Sequence, residues 1–540
     1  MTEAELLRVP REFLNAAVLI DDELYWDQPV EEVATEILAP DEFEVGGAVP
    51  QAGGPSKALS SRISAEKVVD GFSDLGLVCA TYRWSQKHST FPNSSDKADL
   101  IILDWKLDDR EEVGATAVGF LNDRLKQDFV GKKRLRYVVI YTDKPKAGVI
   151  GKLLEKLNVP EGIHLVENDN SVDVVEQNGP SLWRILYQSK TDTPEGDLAK
   201  AILLDFAKFL DGLLPRAVMS GVAELRNQTF EHLYRFNRTV DPAVASHLLA
   251  KRSSEAEFSS APDAFSEFVV GLIVNDFSDA LYGSKLLRQT ASAEAVNFRM
   301  SNLGGVKLRH NNLEVDASST QFVSLLSEPD YASFLTIAQE VFNFTPAKAQ
   351  KTFSDGRTPI EFASVDDEQY AALSNIDLMS NYPKELHGQF QLKSGVIVRA
   401  ETNDNQDPRY LICAQPICDS VRLSVEDGVA TRFPFIELKV VQPPKKFSFV
   451  VNVDGKFVYL LTKHKVSEIT MASFVASKVT GDVRTEGEGT ERAFVETGGT
   501  KYRWISELKE IYAIELQNQL SSQASRIGSN KFEWLRSKSS

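Results

Sequence analysis

Two short apolar runs in this chain each end in acid. AVLIDDE delivers Asp21 and Asp22, and ADLIILDWK delivers Asp104. An apolar run closed by a carboxylate reads as a buried parallel strand whose last residue emerges at the carboxyl edge of a sheet, where α/β proteins build sites. Two such strands bring three carboxylates to one edge. Their mutual repulsion calls for a cation, and an oxygen-only cluster suits Mg²⁺, which takes few protein ligands and keeps its waters. A third run, LRYVVIYTD, leaves Thr142 at the same edge, with a helical stretch from Ala147 to Leu157 behind it. A fourth, SLWRILYQSK, ends in Lys190.

Acid pair, single Asp, Thr and Lys, in that order along alternating strands and helices, resembles the receiver domain of two-component response regulators. The resemblance implies an α/β fold, a flavodoxin-like five-stranded parallel sheet with insertions. It implies that Asp21, Asp22, Asp104 and the backbone carbonyl of Lys106 hold Mg²⁺, and that Asp104 is the phosphoacceptor. Thr142 and Lys190 would contact the phosphoryl oxygens. An aromatic residue three positions before the lysine moves with the switch in that family, and Tyr187 stands there; this assigns Lys190 in preference to a lysine nearer Thr142.

The residue types suit that chemistry. A carboxylate attacking phosphorus must be ionised and nearly in line with the leaving group, and a divalent cation screens the developing charge. The acyl phosphate adds roughly one to two negative charges. Lys190 neutralises part of that, and Thr142 can turn its hydroxyl to donate. The chain departs from the family pattern in four places. Both the path from Asp22 to Asp104 and that from Thr142 to Lys190 are longer than usual. The first holds a Gly/Pro/Ser-rich stretch (Val45 to Ser61) that reads as a loop. The second holds HLVENDNSVDVVEQNGP, which reads as polar and turn-like. Thr191 replaces the usual proline after the lysine, and WKLDDREEVGA lacks the usual Met-Pro.

At 540 residues, 42% hydrophobic and 25% charged, the chain is long enough for about three domains. No window has the roughly 18 uncharged apolar residues of a membrane span. The N-terminus lacks a signal-peptide apolar core. Three cysteines are too few for a disulfide framework, so the expected location is cytoplasmic. A net charge of −17 argues against wrapping nucleic acid. The short basic run KKRLR (132–136) reads as a solvated loop before a strand.

The expected division is a receiver at 12–193, a helical middle domain at 194–382 and a β-rich domain with a C-terminal helix at 383–540. Helices are expected over DLAKAILLDFAKFLDGLLP, with a break at Gly212 and Pro215, then over RAVMSGVAELRNQTFEHLYRF and from DPAVASHLL. FSEFVVGLIVNDFSDALYG is apolar on most faces and is expected to be buried. TQFVSLLSEP, YASFLTIAQEVFNF and EQYAALSNIDLM add later helices. GVIVRAE, RYLICAQPI, FIELKVVQ, FSFVVNV and FVYLLTK read as strands of a small sheet or barrel. Gly481 to Gly499 reads as a polar loop. A closing helix is expected over WISELKEIYAIELQNQLSSQASRIG, ended by Gly528, with Ile505, Leu508, Ile511, Tyr512, Leu516 and Leu520 as its apolar stripe.

His232 and His247 sit on helices with no second ligand at metal spacing. Cys413 and Cys418 have a gap that zinc tolerates, but His387 does not complete a pattern; a buried strand and a tight turn is the expectation there, with Asp419 and Arg422 as a local ion pair. That turn, the GLLPRAV…ELRNQTFEHL helices and SRIGSNKFEWLR resemble long "response receiver" proteins of predicted prokaryotic conflict, or anti-phage, systems. The resemblance implies a histidine-kinase-like or Hsp90-like ATPase as partner; a homo-oligomer is also allowed. The function expected is a phosphorylation-controlled signalling protein that relays the state of Asp104 to a partner. The alternative is a receiver that regulates an enzyme in the C-terminal half, although no Gly-rich phosphate loop, nucleophile elbow, HExxH or CxxC pair is present.

Overall fold

The computed structural model describes residues 3–26, 62–85, 91–108, 111–129, 134–176, 181–253, 261–301, 306–310, 313–354, 360–365, 367–380, 389–401, 408–421, 423–426, 429–442, 447–462, 469–478, 481–487 and 489–524. Val45 to Ser61, residues 132 and 133 of the basic run, His387, Arg422, Gly528 and KFEWLR lie outside the described residues. The chain divides into two compact units, Met1–Thr229 with Asp279–Arg299, and Phe230–Ser278 with Met300–Ser540.

The first unit opens with α1 (Glu3–Phe13), β1 (Ala16–Asp21), α2 (Ala65–Ser73), β2 (Val78–Arg83), β3 (Leu100–Leu103), α3 (Ala115–Phe129), β4 (Arg136–Thr142) and α4 (Lys146–Lys156). It continues with β5 (Ile163–Glu167), β6 (Ser171–Glu176), β7 (Ser181–Ser189), α5 (Glu195–Phe209) and α6 (Leu213–Asn227). One sheet has the order β2-β1-β3-β4-β7-β6-β5. The five strands from β2 to β7 are parallel, while β6 and β5 add in antiparallel fashion.

The central strands are apolar between their ends because both faces are covered. Ala17 and Leu19, Leu100 and Ile102, and Tyr137, Val139 and Tyr141 enter one core layer with residues of α1, α2 and α5. The alternate residues Val18 and Ile20, Ile101 and Leu103, and Val138 and Ile140 enter the other, with residues of α3 and α4. Burying each such Leu or Ile contributes about 1.5–3 kcal/mol before the entropy of ordering is subtracted. This two-sided packing makes the sheet rigid up to the strand ends that carry the acids.

Several expectations need correction. The five parallel strands are as expected, and the insertion before β7 extends the sheet by two antiparallel strands, β6 and β5. β2 is a parallel strand that the apolar pattern does not single out, because as an edge strand it is only half-buried. HLVENDNSVDVVEQNGP is not merely turn-like: it forms most of the hairpin β5–β6. Its polar residues face water along the outer strand, while Val172 and Val174 are buried. The packing also runs on past residue 194. Leu198, Ile202, Leu203 and Phe206 of α5 lie in the same core layer as Leu19 and Ile102.

The chain continues with α7 (Thr229–Arg235), α8 (Asp241–Ser253), α9 (Ala261–Gly283), α10 (Lys285–Thr290) and α11 (Ala293–Ser301). The second expected helix is thus two, α6 and α7, separated at Gln228. α9 is not the buried helix its composition suggests. Val270, Val274 and Phe277 are exposed, whereas Asp276 is buried in an ion pair with Arg235 and a hydrogen bond to His232. His247 is exposed and stacks on Phe268.

The expected helical middle also holds a small antiparallel sheet. It is made of β8 (Val306–His310), β9 (Leu313–Ala317) and, after α12 (Ser319–Ser327), α13 (Tyr331–Phe342) and α14 (Pro346–Ser354), the short β10 (Glu361–Phe362). α15 (Asp367–Leu378) follows. The C-terminal sheet comprises β11 (Val396–Ala400), β12 (Arg409–Cys413), β13 (Thr431–Val441), β14 (Phe449–Val453), β15 (Lys456–Thr462), β16 (Ile469–Phe474), β17 (Ala493–Val495) and β18 (Lys501–Glu507). Its neighbouring strands pair antiparallel. β17 lies inside the stretch read as a polar loop. The closing helix, α16 (Glu510–Ala524), starts later than expected: Trp504 and Ile505 belong to β18, and Ile511 is exposed. Cys413 is buried at the end of β12, and Cys418 is exposed in the turn after it.

Candidate functional site

The site is assembled from four strand ends of the parallel sheet. Asp21 is the last residue of β1 and Thr142 the last of β4, while Asp104 directly follows β3 and Lys190 directly follows β7. β1, β3, β4 and β7 are neighbours in the sheet, so these ends share one edge. Asp21, Asp104 and Thr142 are buried there. Asp22, one residue further, is half-buried.

Lys190 ties the edge together. Its Nζ donates to Asp21 Oδ2 at 2.9 Å and lies 2.8 Å from Asp104 Oδ1. Its backbone N–H donates to the Thr142 carbonyl at 3.0 Å, and its Nζ stands 5.9 Å from the Tyr141 ring centre. Lys144, the lysine nearer Thr142, pairs instead with Asp143. Backbone donors fix the remaining carboxylate oxygens: Glu23 N–H donates to Asp21 Oδ1 at 2.8 Å, and Lys106 N–H to Asp104 Oδ2 at 2.7 Å. Ser189 Oγ accepts the N–H groups of Thr191 and Asp192, both at 3.2 Å, and so holds the turn in which a proline would be usual.

The electrostatics are unbalanced. Burial, then the charges of Asp21 and Asp104, push the Asp22 carboxyl up to about 7. Burial likewise pushes Asp104 up, to about 6, against the lowering effect of Lys190. Burial alone would lower the Lys190 ammonium, but Asp104 and Asp21 overcome it and raise it well above the ordinary lysine value. Among the described residues Lys190 pairs with Asp21 and Asp104, and Asp22 adds a third carboxylate near them. Among the described residues no cation pairs with the Asp22 side chain, and no three His, Cys, Asp or Glu side chains close into a metal cage. An open, oxygen-only, over-negative edge fits a hard divalent cation that keeps part of its water shell.

Residues 13–193 match the family model described as the response receiver domain. They form a receiver domain. No curated protein matches the chain. The receiver points to phosphorylation-regulated signalling, and among the described residues no helix is long and apolar enough to cross a membrane.

Tyr187 sits on β7, three residues before Lys190. Its hydroxyl donates to the Lys144 carbonyl at 2.8 Å, and the Lys144 N–H donates to Thr142 Oγ1 at 3.3 Å. The Lys144 backbone is thus held on one side by Thr142 and on the other by Tyr187. Sequence reasoning missed this residue, because its part is played by backbone atoms. It also missed Arg83, at the end of β2, whose Nε donates to the Asp22 carbonyl at 3.2 Å. A third omission is Gly114. Its φ is +86°, and a Cβ there would fall 2.4 Å from the indole of Trp105, the buried residue that follows Asp104. The pairing of a Trp after the acid with a Gly ahead of α3 is the signal that was present in the sequence.

Proposed function

We propose that this is a cytoplasmic, phosphorylation-controlled signalling protein in which Asp104 accepts a phosphoryl group and the change is read by a protein partner. The observation that carries the proposal is the placement of Lys190 Nζ against both Asp21 and Asp104, with Thr142 at the same strand edge. Asp21, Asp22, Asp104 and the carbonyl of Lys106 would hold Mg²⁺. When bound, that ion screens the charge between carboxylate and phosphodonor.

The chain's own residues account for the rest. The N–H of Lys106 orients the Asp104 carboxylate. An oxygen of that carboxylate attacks phosphorus, the bond to the leaving group breaks, and an acyl phosphate remains. Lys190 is already within hydrogen-bond distance of Asp104 and can follow the new charge. Thr142 Oγ1, which accepts only a long bond from Lys144 in this state, turns to donate to the phosphoryl group. Tyr187 then loses part of what fixes it, and a local charge change becomes a change of surface. From the resemblance of the whole chain, the partner we propose is a histidine-kinase-like or Hsp90-like ATPase, in an anti-phage setting.

The test is incubation with Mg²⁺ and acetyl phosphate, followed by mass spectrometry. A hydroxylamine-labile phosphoryl adduct on Asp104, absent from Asp104→Ala, is the expected result. An adduct of equal size in Asp104→Ala would remove Asp104 from this role.

A further inference from the structure

The hairpin β5–β6 is an addition to the sheet, and its turn is wired to the residues around the site. Five hydrogen bonds make the connection. Lys144 N–H donates to Thr142 Oγ1 at 3.3 Å, and Tyr187 Oη donates to the Lys144 carbonyl at 2.8 Å. Tyr187 N–H donates to the carbonyl of Asn170, in the hairpin turn, at 2.8 Å. Lys146 Nζ, at the start of α4, donates to the side-chain oxygen of the same Asn170 at 3.1 Å and to Asp169 at 3.3 Å. Thr142, Lys144, Tyr187, Asn170 and Lys146 therefore form one contiguous path. Lys146 closes it into a ring, since it lies two residues beyond Lys144. The turn itself is compact, with Asn168 N–H donating to the Ser171 carbonyl at 2.8 Å. Asp169 projects into solvent, its side chain 93% exposed.

We propose that the β5–β6 turn, residues 168–171, is the output element of the Asp104 site, and that it shifts with phosphorylation through this path. The proposal rests on the receiver reading of Asp104 given above and adds where the change is delivered. The weakest link is the one next to the phosphoryl group: the 3.3 Å bond to Thr142 is long for N–H···O and is readily exchanged. Breaking it frees the Lys144 peptide. The two attachments of the turn, one to Tyr187 and one to Lys146, flank that peptide, so movement of either is felt at Asn170. The polar residues of the turn then change how they are presented. An inserted segment that a core-packing argument leaves without a role thereby acquires one.

The experiment is hydrogen exchange by mass spectrometry on the full chain, with and without beryllofluoride and Mg²⁺, together with Lys146→Met. Lys146 is half-exposed, and its side chain pairs with Asp169 and Asn170 rather than with the reacting groups, so phosphorylation of Asp104 should be unchanged in the variant. In the natural protein, amides of 167–171 and 186–188 should change exchange rate by about fivefold or more, the lower end of ordinary coupling between sites. In Lys146→Met the change at 186–188 should persist and that at 167–171 should fall by at least half. If residues 143–150 respond and 167–171 do not, the output proposal fails while the receiver reading stands. If no segment responds and Asp104 takes no phosphoryl group, both fail.

Discussion

Asp22→Asn should stabilise the metal-free protein at pH 7.5 and weaken its hold on Mg²⁺. The Asp22 carboxyl is displaced from 3.8 to about 7 by burial and by the Asp21 and Asp104 charges. In the unfolded chain it ionises near its ordinary value, about 3.9. The folded state therefore binds the proton more tightly than the unfolded state between those values. Stability tied to this group is greatest below about pH 4 and is lost as pH rises through about 7. Because the group is half-exposed, solvent screening reduces the cost of ionisation to about 1–2 kcal/mol. Asn keeps the shape and removes the charge, so it returns that amount at pH 7.5. For a domain of this size the gain corresponds to roughly 2–8 °C in Tm. At pH 5 the natural residue is already protonated in the folded state, so most of the gain disappears. The assay is thermal unfolding in EDTA at pH 5 and 7.5, with Mg²⁺ calorimetry at pH 7.5. A lower Tm for the variant at pH 7.5, or an equal gain at both pH values, would refute the repulsion argument.

Lys190→Met leaves Asp21 and Asp104 buried without their ammonium, and should cost about 3–5 kcal/mol at pH 8 by urea unfolding. The loss should shrink at pH 5, where Asp104, already raised to about 6, takes up a proton. Thr142→Ala should still accept the phosphoryl group on Asp104 but lose the hydrogen-exchange response over 143–150, since Lys144 no longer has an Oγ1 to release. Gly114→Ala must place a Cβ against the Trp105 indole at a φ of +86°, and should cost about 1–3 kcal/mol by chemical unfolding with an altered tryptophan emission; unchanged stability and emission would show that the Trp105 loop is not held there.

The sequence alone carried the parallel core and the placement of polar residues at its strand ends. β1, β3 and β4 are apolar on both faces, and only strands covered on both sides are built that way. A polar residue ending such a run must stand at the sheet edge, so Asp21, Asp104 and Thr142 were legible from local pattern. The strands β11 to β15 were legible for a similar reason, as short apolar runs between turn residues. What the sequence left open depended on neighbours distant along the chain. β2 is half-buried at an edge and carries little pattern. The β5–β6 hairpin is rich in polar side chains, and its strand character comes from pairing with β7. α9 reads as a core helix, yet its buried Asp276 is settled by His232 and Arg235 on α7. The start of α16 was misplaced because β18 pairs with β11, and that pairing overrides the helical spacing of Trp504 to Glu507. The contact of Lys190 with two carboxylates far from it in sequence follows from strand order, which places β7 beside β4 and β3 beside β1. Local composition determines which residues can be buried or can ionise; which of them meet is decided by the order in which the strands pack.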